Sequence, residues 1–195
     1  MNATKEYIID HTYNLLLNHS YEAVSISEIS KSIGFTKGAL YHHFANKEEL
    51  FKAVIDKHLT SPNKTIVDTN ISLKNYINQA INRTRETLSD VINTSKEFAP
   101  LSYISLFVDA LRHYPDFIRK KQVLVNQEIE NIKMILNNAI ANKEIRDDIN
   151  VSITAINFLS LTYGVTGNFV QNNSLDSTIS VLEQQLTELY NVLKI

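Results

Sequence analysis

Thr36, Lys37, Gly38, Tyr41, His42, His43 and Lys47 stand close together in one short stretch of the chain. Together they offer a hydroxyl, two ammonium groups, a phenol and two imidazoles, a set suited to gripping a polyanion and reading base edges. Lys37 can reach guanine acceptors or a phosphate, and Tyr41 can lay its ring on a thymine methyl or give its hydroxyl to a phosphate. His42, His43 and Lys47 fall where strand oxygens would pass. Gly38 has two readings: it lets the backbone approach a duplex, or it serves close helix packing. Covalent or metal chemistry finds no support. Adjacent histidines on a helix diverge by about 100°, so His42 and His43 do not readily share a metal. There is no Gly-rich phosphate loop, no G-x-S-x-G elbow, no cysteine nucleophile and no Glu-x-x-His pair for a carboxylate-bridged metal bundle. We therefore expect no enzyme activity, catalytic residue, metal or cofactor.

These side chains need a rigid mount, and the flanking residues spell one. Ser25 followed by Glu28 makes a capping box that starts a helix. Ile26, Ile29 and Ile33 form its apolar face, and Gly34 ends it where the backbone turns left-handed. Phe35 returns to the core and Thr36 caps a second short helix anchored by Leu40, with Ala39 and Phe44 beside it. Such a helix, polar on its outer side, fits the major groove of double-stranded DNA.

Tyr21, Ala23, Ser25, Ile29, Gly34, Lys37, Gly38, Leu40, Tyr41, His43, Phe44, Lys47 and Leu50 together closely resemble the N-terminal signature of the TetR/AcrR family of transcriptional regulators. The resemblance covers about the first quarter of the chain. Ser20 stands where the family usually has Gly, and Ser30 where it usually has Ala. It implies that Ser25, Ser27, Thr36, Lys37, Gly38, Tyr41, His42, His43 and Lys47 face an operator. It also implies a homodimer joined through its last two helices, a small-molecule effector that releases the DNA, and, more often than not, repression.

Composition sets the frame. With 195 residues, 44% of them hydrophobic, the chain can bury a genuine core. It has no Cys, only 4 Gly and 3 Pro, and apolar residues recur at helical spacing nearly throughout. An all-α fold of about nine helices follows: an N-terminal three-helix helix-turn-helix domain, residues 1–60, and a C-terminal effector-binding and dimerisation domain, residues 61–195. The boundary is expected around Pro62, which forbids a continuing helix. No apolar run is long enough for a membrane span and no signal peptide opens the chain, so the expected place is the cytoplasm. Residues 1–60 carry six lysines against seven acidic residues, net −1. Attraction to DNA must then come from placement, with weak non-specific binding, a modest salt slope and some gain when the histidines are protonated. That missing basic charge sustains a rival reading, a helical protein-interaction module that has lost DNA binding.

The first helix is expected from Thr4 to about His19, with Ile8, Ile9, Thr12, Leu15 and Leu16 as its stripe. Tyr21 and Ala23 pack beneath the reading head. A fourth helix, capped by Asn46, buries Leu50, Phe51, Val54 and Ile55. Five longer helices follow, over about 72–93, 99–114 and 116–142, from Asn150 or Ser152 to about Val170, and from Ser174 or Ser177 onward. Tyr76, Phe98, Tyr103, Phe107, Phe117, Phe158 and Tyr163 are candidate linings of an effector pocket, with Arg83, Arg85, Asp109 and Arg112 as polar anchors. They favour an apolar or aromatic ligand. Singly, each aromatic reads as core. Ile179, Leu182, Leu186, Leu189 and Leu193 alternate by three and four. With Phe158, Gly164 and Gly167 on the preceding helix, they make the candidate dimer interface, the rival being a core within one subunit.

Overall fold

Short helices need caps and long ones need seams, and the chain uses both. The computed structural model describes residues 3–60, 68–94 and 99–195, with only the backbone of Ala99 and Pro100. Phe98 and Pro62, and with Pro62 the expected break, lie outside the described residues. Among those described are nine helices: α1 (Ala3–Leu16), α2 (Ile26–Ser32), α3 (Lys37–His43), α4 (Lys47–His58), α5 (Leu73–Thr94), α6 (Ala99–His113), α7 (Phe117–Ala141), α8 (Val151–Asn172) and α9 (Leu175–Leu193). The one β-type pairing among them is an isolated bridge, Ile145 with Lys194. The fold class is all-α, with a helix-turn-helix at the N-terminal end.

The chain divides into two compact units. The first comprises Met1–Lys64 and Val91–Lys121, the second Thr65–Asp90 and Gln122–Ile195. The first unit thus holds more than the N-terminal helices: it takes in the end of α5, all of α6 and the start of α7. Its core runs from Ile8, Ile9 and Leu16 through Ile29, Leu40, Phe44, Leu50, Phe51, Val54 and Ile55 to Leu106, Ala110, Tyr114 and Phe117. Burying side chains of this size contributes about 1.5–3 kcal/mol each. Polar ties hold the helices in register. Lys57 pairs with Glu6 and, at 2.7 Å, with Asp10, and the His58 ring stacks on Tyr13 at 3.8 Å. Asp56 on α4 accepts from the Tyr114 hydroxyl at 3.0 Å and from Lys120 Nζ at 2.7 Å.

In the second unit α8 and α9 pack together, and the seam alternating by threes and fours turns inward. Ile179, Leu182, Leu186 and Leu193 are buried beside Phe158, Leu159, Val165 and Phe169. Glu144, just after α7, accepts from the Leu73 and Lys74 amides, both at 3.0 Å, which would otherwise be orphaned at the start of α5. The same carboxylate accepts from the Tyr190 hydroxyl at 3.2 Å. Helices α8 and α9 start at Asn150 and Ser174, whose side chains accept from Ile153 and Ser177 amides.

Candidate nucleic-acid interface

The mount for the reading residues is built by hydrogen bonds within a few positions. Ser25 Oγ accepts from the Glu28 amide at 3.2 Å, and Glu28 Oε2 accepts from the Ser25 amide at 2.7 Å. Those bonds hold the Glu28 carboxyl below its ordinary range. Gly34, at φ +70°, makes the left-handed turn that an L side chain resists, and the Phe35 amide then donates to the Ser30 carbonyl at 2.9 Å. Thr36 Oγ1 accepts from the Ala39 amide at 3.1 Å and starts α3. The two departures from the family pattern fit this geometry. Ser30 is buried and its hydroxyl donates to the Ser27 carbonyl at 3.0 Å, while the Ser20 carbonyl accepts from Ala23 and Val24 at the bend after α1. Of that link Val24 is buried and Ala23 exposed, the reverse of the packing expected for Ala23.

Leu40 is the one buried residue of α3. Thr36, Lys37, Gly38, Tyr41 and His42 are exposed, Tyr41 at 52% of its surface, and His43 is half-buried with its ring 5.3 Å from that of His42. Ser25 and Ser27 are exposed at the start of α2. A Cβ built on Gly38 would meet only Thr36 Oγ1, at 3.8 Å. Packing within the chain therefore does not demand glycine there. Two adjoining concavities of about 430 and 360 Å³ run along α1 and α2, sharing Leu15, His19 and Ser32, and neither includes a residue of α3.

Charge placement resolves the acidic balance of the first sixty residues. Six of the seven carboxylates are engaged: Glu6 and Asp10 with Lys57, Glu28 with the Ser25 amide, Glu48 with Lys52, Glu49 with the Ala45 amide and Asp56 with Lys120, while Glu22 lies 3.6 Å from His113. Of the six lysines only Lys52 and Lys57 form ion pairs among the described residues. Lys5 lies over the Phe44 ring at 4.8 Å and Lys47 over the Tyr21 ring at 4.0 Å. Lys37 is exposed beside Tyr41 with no carboxylate partner among the described residues. The lysines without an ion pair among the described residues are Lys5, Lys31, Lys37 and Lys47, of which Lys37 lies on α3 and Lys47 opens α4.

Residues 8–54 match the family model for bacterial regulatory proteins, tetR family. The helix-turn-helix segment of this chain is thus similar to that family's N-terminal module. Among relatives, the uncharacterized HTH-type transcriptional regulator YwcC of Bacillus subtilis is 40% identical over 55 residues, 28% of this chain and 25% of that one. The biofilm operon negative regulator IcaR of Staphylococcus epidermidis is 35% identical over 52 residues, 27% of this chain and 28% of that one. The match thus spans about a quarter of the length of these curated relatives. The transposon Tn10 TetC protein of Escherichia coli is 30% identical over 102 residues, 52% of this chain and 51% of that one. At the level of fold, the repressor NalD of Pseudomonas aeruginosa superposes with a TM-score of 0.67 at 15% identity, covering 98% of this chain and 95% of that one. A SmeT–triclosan complex superposes at 0.62 and 17% identity, covering 100% and 93%.

The expected effector residues fall in both units. Tyr103 and Phe107 pack against the core of the first unit, and Phe117 is fully buried in it. Asp109 is also buried, and its Oδ2 accepts from the Tyr21 amide at 2.7 Å. Tyr76, Arg83, Phe158 and Tyr163 belong to the second unit. There the Arg83 guanidinium lies 5.8 Å from the centre of the Tyr76 ring, and the Tyr163 hydroxyl meets Glu128 at 3.3 Å. Burial, with the nearby Glu128 charge, pushes the Tyr76 phenol up to about 12. Arg85 pairs loosely with Asp176 at 3.7 Å, and Arg112 is exposed at the end of α6. No spacing pattern points to Glu128, since its neighbours Tyr76 and Tyr163 sit on other helices.

The expected dimer residues also separate. Phe158, Ile179, Leu182, Leu186 and Leu193 are buried within the single chain and Leu189 is half-buried, because a helix in a subunit core shows the same period as one at an interface. Gly164 and Gly167 are exposed, with no atom within 4 Å of a Cβ built on either. They share the outer face of α8 with Ile153, Ile156, Asn157, Ser160 and Tyr163, of which Ile153 is 53% exposed.

Proposed function

We propose that this chain is a DNA-binding transcriptional regulator, most simply a repressor, that reads a palindromic operator as a homodimer and is released by a small molecule. The observation that carries this is the outer side of α3, where Thr36, Lys37, Gly38, Tyr41 and His42 lie open and six of the seven local carboxylates are engaged elsewhere. Residues 1–60 would supply every base and phosphate contact, with Ser25 and Ser27 adding hydroxyls from α2 and Lys47 an ammonium from α4. The outer face of α8, apolar at Ile153 and Ile156 and bare at Gly164 and Gly167, suits a second copy of the same helix, since small residues allow backbones to approach. Two-fold pairing would set the two α3 helices about 34–36 Å apart or a multiple of it, and so require a palindrome. The effector would bind in residues 61–195, and Tyr76, Arg83 and Tyr163 with Glu128 are the polar groups there that suit an aromatic ligand with hydrogen-bonding substituents. Linkage of this kind is typically about 1–3 kcal/mol, a loosening of about five- to 150-fold.

Selection of duplexes from random DNA by the full chain tests the proposal. Enrichment of one palindrome, bound by a species of dimer mass in light scattering, is the expected result. A pool with no enriched sequence would overturn the DNA-reading role, and a monomer at micromolar concentration would overturn the pairing.

A further inference from the structure

Tyr21 lies in the link between α1 and α2, outside every helix, yet it is held from four directions. Its amide donates to Asp109 Oδ2 at 2.7 Å. Its ring lies 4.4 Å from that of His113 and 4.5 Å from that of Phe51. On the remaining side the Lys47 ammonium stands 4.0 Å from the ring centre. Asp109 and His113 are one turn apart on α6, so a single face of that helix grips the link. His113 also lies 3.6 Å from Glu22, the next residue along.

A lysine on the surface normally samples many rotamers, and ordering it on a phosphate costs entropy at the moment of binding. The ring of Tyr21 removes part of that cost beforehand by holding the ammonium over its negative face. The acidic groups nearby have other partners. Glu28, which also feels the Lys47 charge, accepts from the Ser25 amide, Glu48 pairs with Lys52, and Glu22 lies 3.6 Å from His113. Burial, reinforced by Glu48 and Glu22, pushes the Tyr21 phenol up, so the ring stays neutral at ordinary pH.

We propose that Tyr21 is a positioning residue for DNA binding: its ring fixes the Lys47 ammonium as a phosphate ligand, and Asp109 and His113 of α6 fix Tyr21. This rests on the DNA-reading role proposed above and adds a part for α6 that lies far from α3 in sequence.

The test is a double-mutant cycle in the full chain, read as affinity for the selected duplex at several salt concentrations. Tyr21→Phe keeps the ring and should bind within about two-fold of the unaltered chain. Tyr21→Leu removes it and should weaken binding about two- to five-fold, the usual range for an exposed cation–π contact. Asp109→Ala should weaken binding in the same direction. In a Lys47→Ala background both Tyr21→Leu and Asp109→Ala should become silent. Should Tyr21→Leu prove unfolded by circular dichroism, pentafluorophenylalanine at position 21 keeps the shape, reverses the ring's charge distribution and should show the same coupling. Equal losses with and without Lys47, or a Tyr21→Phe variant as weak as Tyr21→Leu, would overturn the proposal while leaving the DNA-reading role standing. An unaltered chain that selects no duplex would remove both.

Discussion

Helices α3 and α8 both turn a face outward, and the two faces have opposite chemistry. On α3 the exposed positions are a hydroxyl, an ammonium, a phenol and an imidazole around one glycine. On α8 they are isoleucines, a tyrosine and small residues around two. Neither set of glycines is required by the chain's own packing, since built side chains would meet nothing closer than 3.8 Å. A glycine that costs its helix stability and that packing does not ask for leaves bare backbone at the surface. In the reading proposed above, the neighbours of Gly38 suit a polyanion and those of Gly164 and Gly167 a second apolar helix.

The largest effect expected is on the anchor behind the reading face. Leu40→Ala should cost about 2–5 kcal/mol of stability, as a cavity in a packed core does, and thermal or denaturant unfolding would register it. Tyr41→Ala and Lys37→Ala should leave stability near its original value yet each remove about 1–3 kcal/mol of discrimination between operator and scrambled DNA. Lys47→Ala should instead weaken all sequences alike and lower the salt slope by about 1. Identical behaviour of the three would show that the outward positions are wrongly divided between bases and phosphates.

For α8 the expected signs diverge. Gly164→Ala and Gly167→Ala each remove a helix penalty of about 0.8–1 kcal/mol, so the subunit should gain stability while light scattering shows weaker pairing. Variants that gain stability and pair as before would mean the outer face of α8 meets no partner.

The smallest effects concern protons. Burial pushes the His58 imidazole below its ordinary 6.5, outweighing the pull of Asp10 3.1 Å away. The unfolded chain therefore binds the proton more readily, and stability, full above about pH 6.5, should decline as pH falls below it toward the lowered folded value. His58→Gln should flatten that decline in melting curves taken from pH 8 to pH 5. Tyr76, raised from 10.0 to about 12, acts at the other end: its contribution is intact below pH 10 and lost as pH rises through 12.

What could be foreseen from the amino-acid string was whatever is decided within one or two helical turns. The Ser25–Glu28 box, the Thr36 and Asn46 caps and the Gly34 elbow are local and stand where the spacing predicts them, and of the two starts open for each of α8 and α9 the structure takes Asn150 and Ser174. Element ends shifted by only a few residues, as with α1, which stops at Leu16 short of His19. What could not be foreseen joins distant positions. Asp109 was a candidate ligand anchor by type alone; only its meeting with the Tyr21 amide, 88 positions away, explains why a carboxylate is buried there. Periodicity likewise marks Ile179, Leu182 and Leu186 as packed, but it carries no information on whether the helix opposite is the chain's own.

The single buried residue of α3 has a consequence for how such a protein can change. Because Leu40 and the flanking caps fix this helix, Lys37, Gly38, Tyr41 and His42 can be exchanged with little opposition from folding. A population of variants could therefore wander from one target sequence to another while the scaffold stays still, and new specificity would be limited by what the operator tolerates before it is limited by stability.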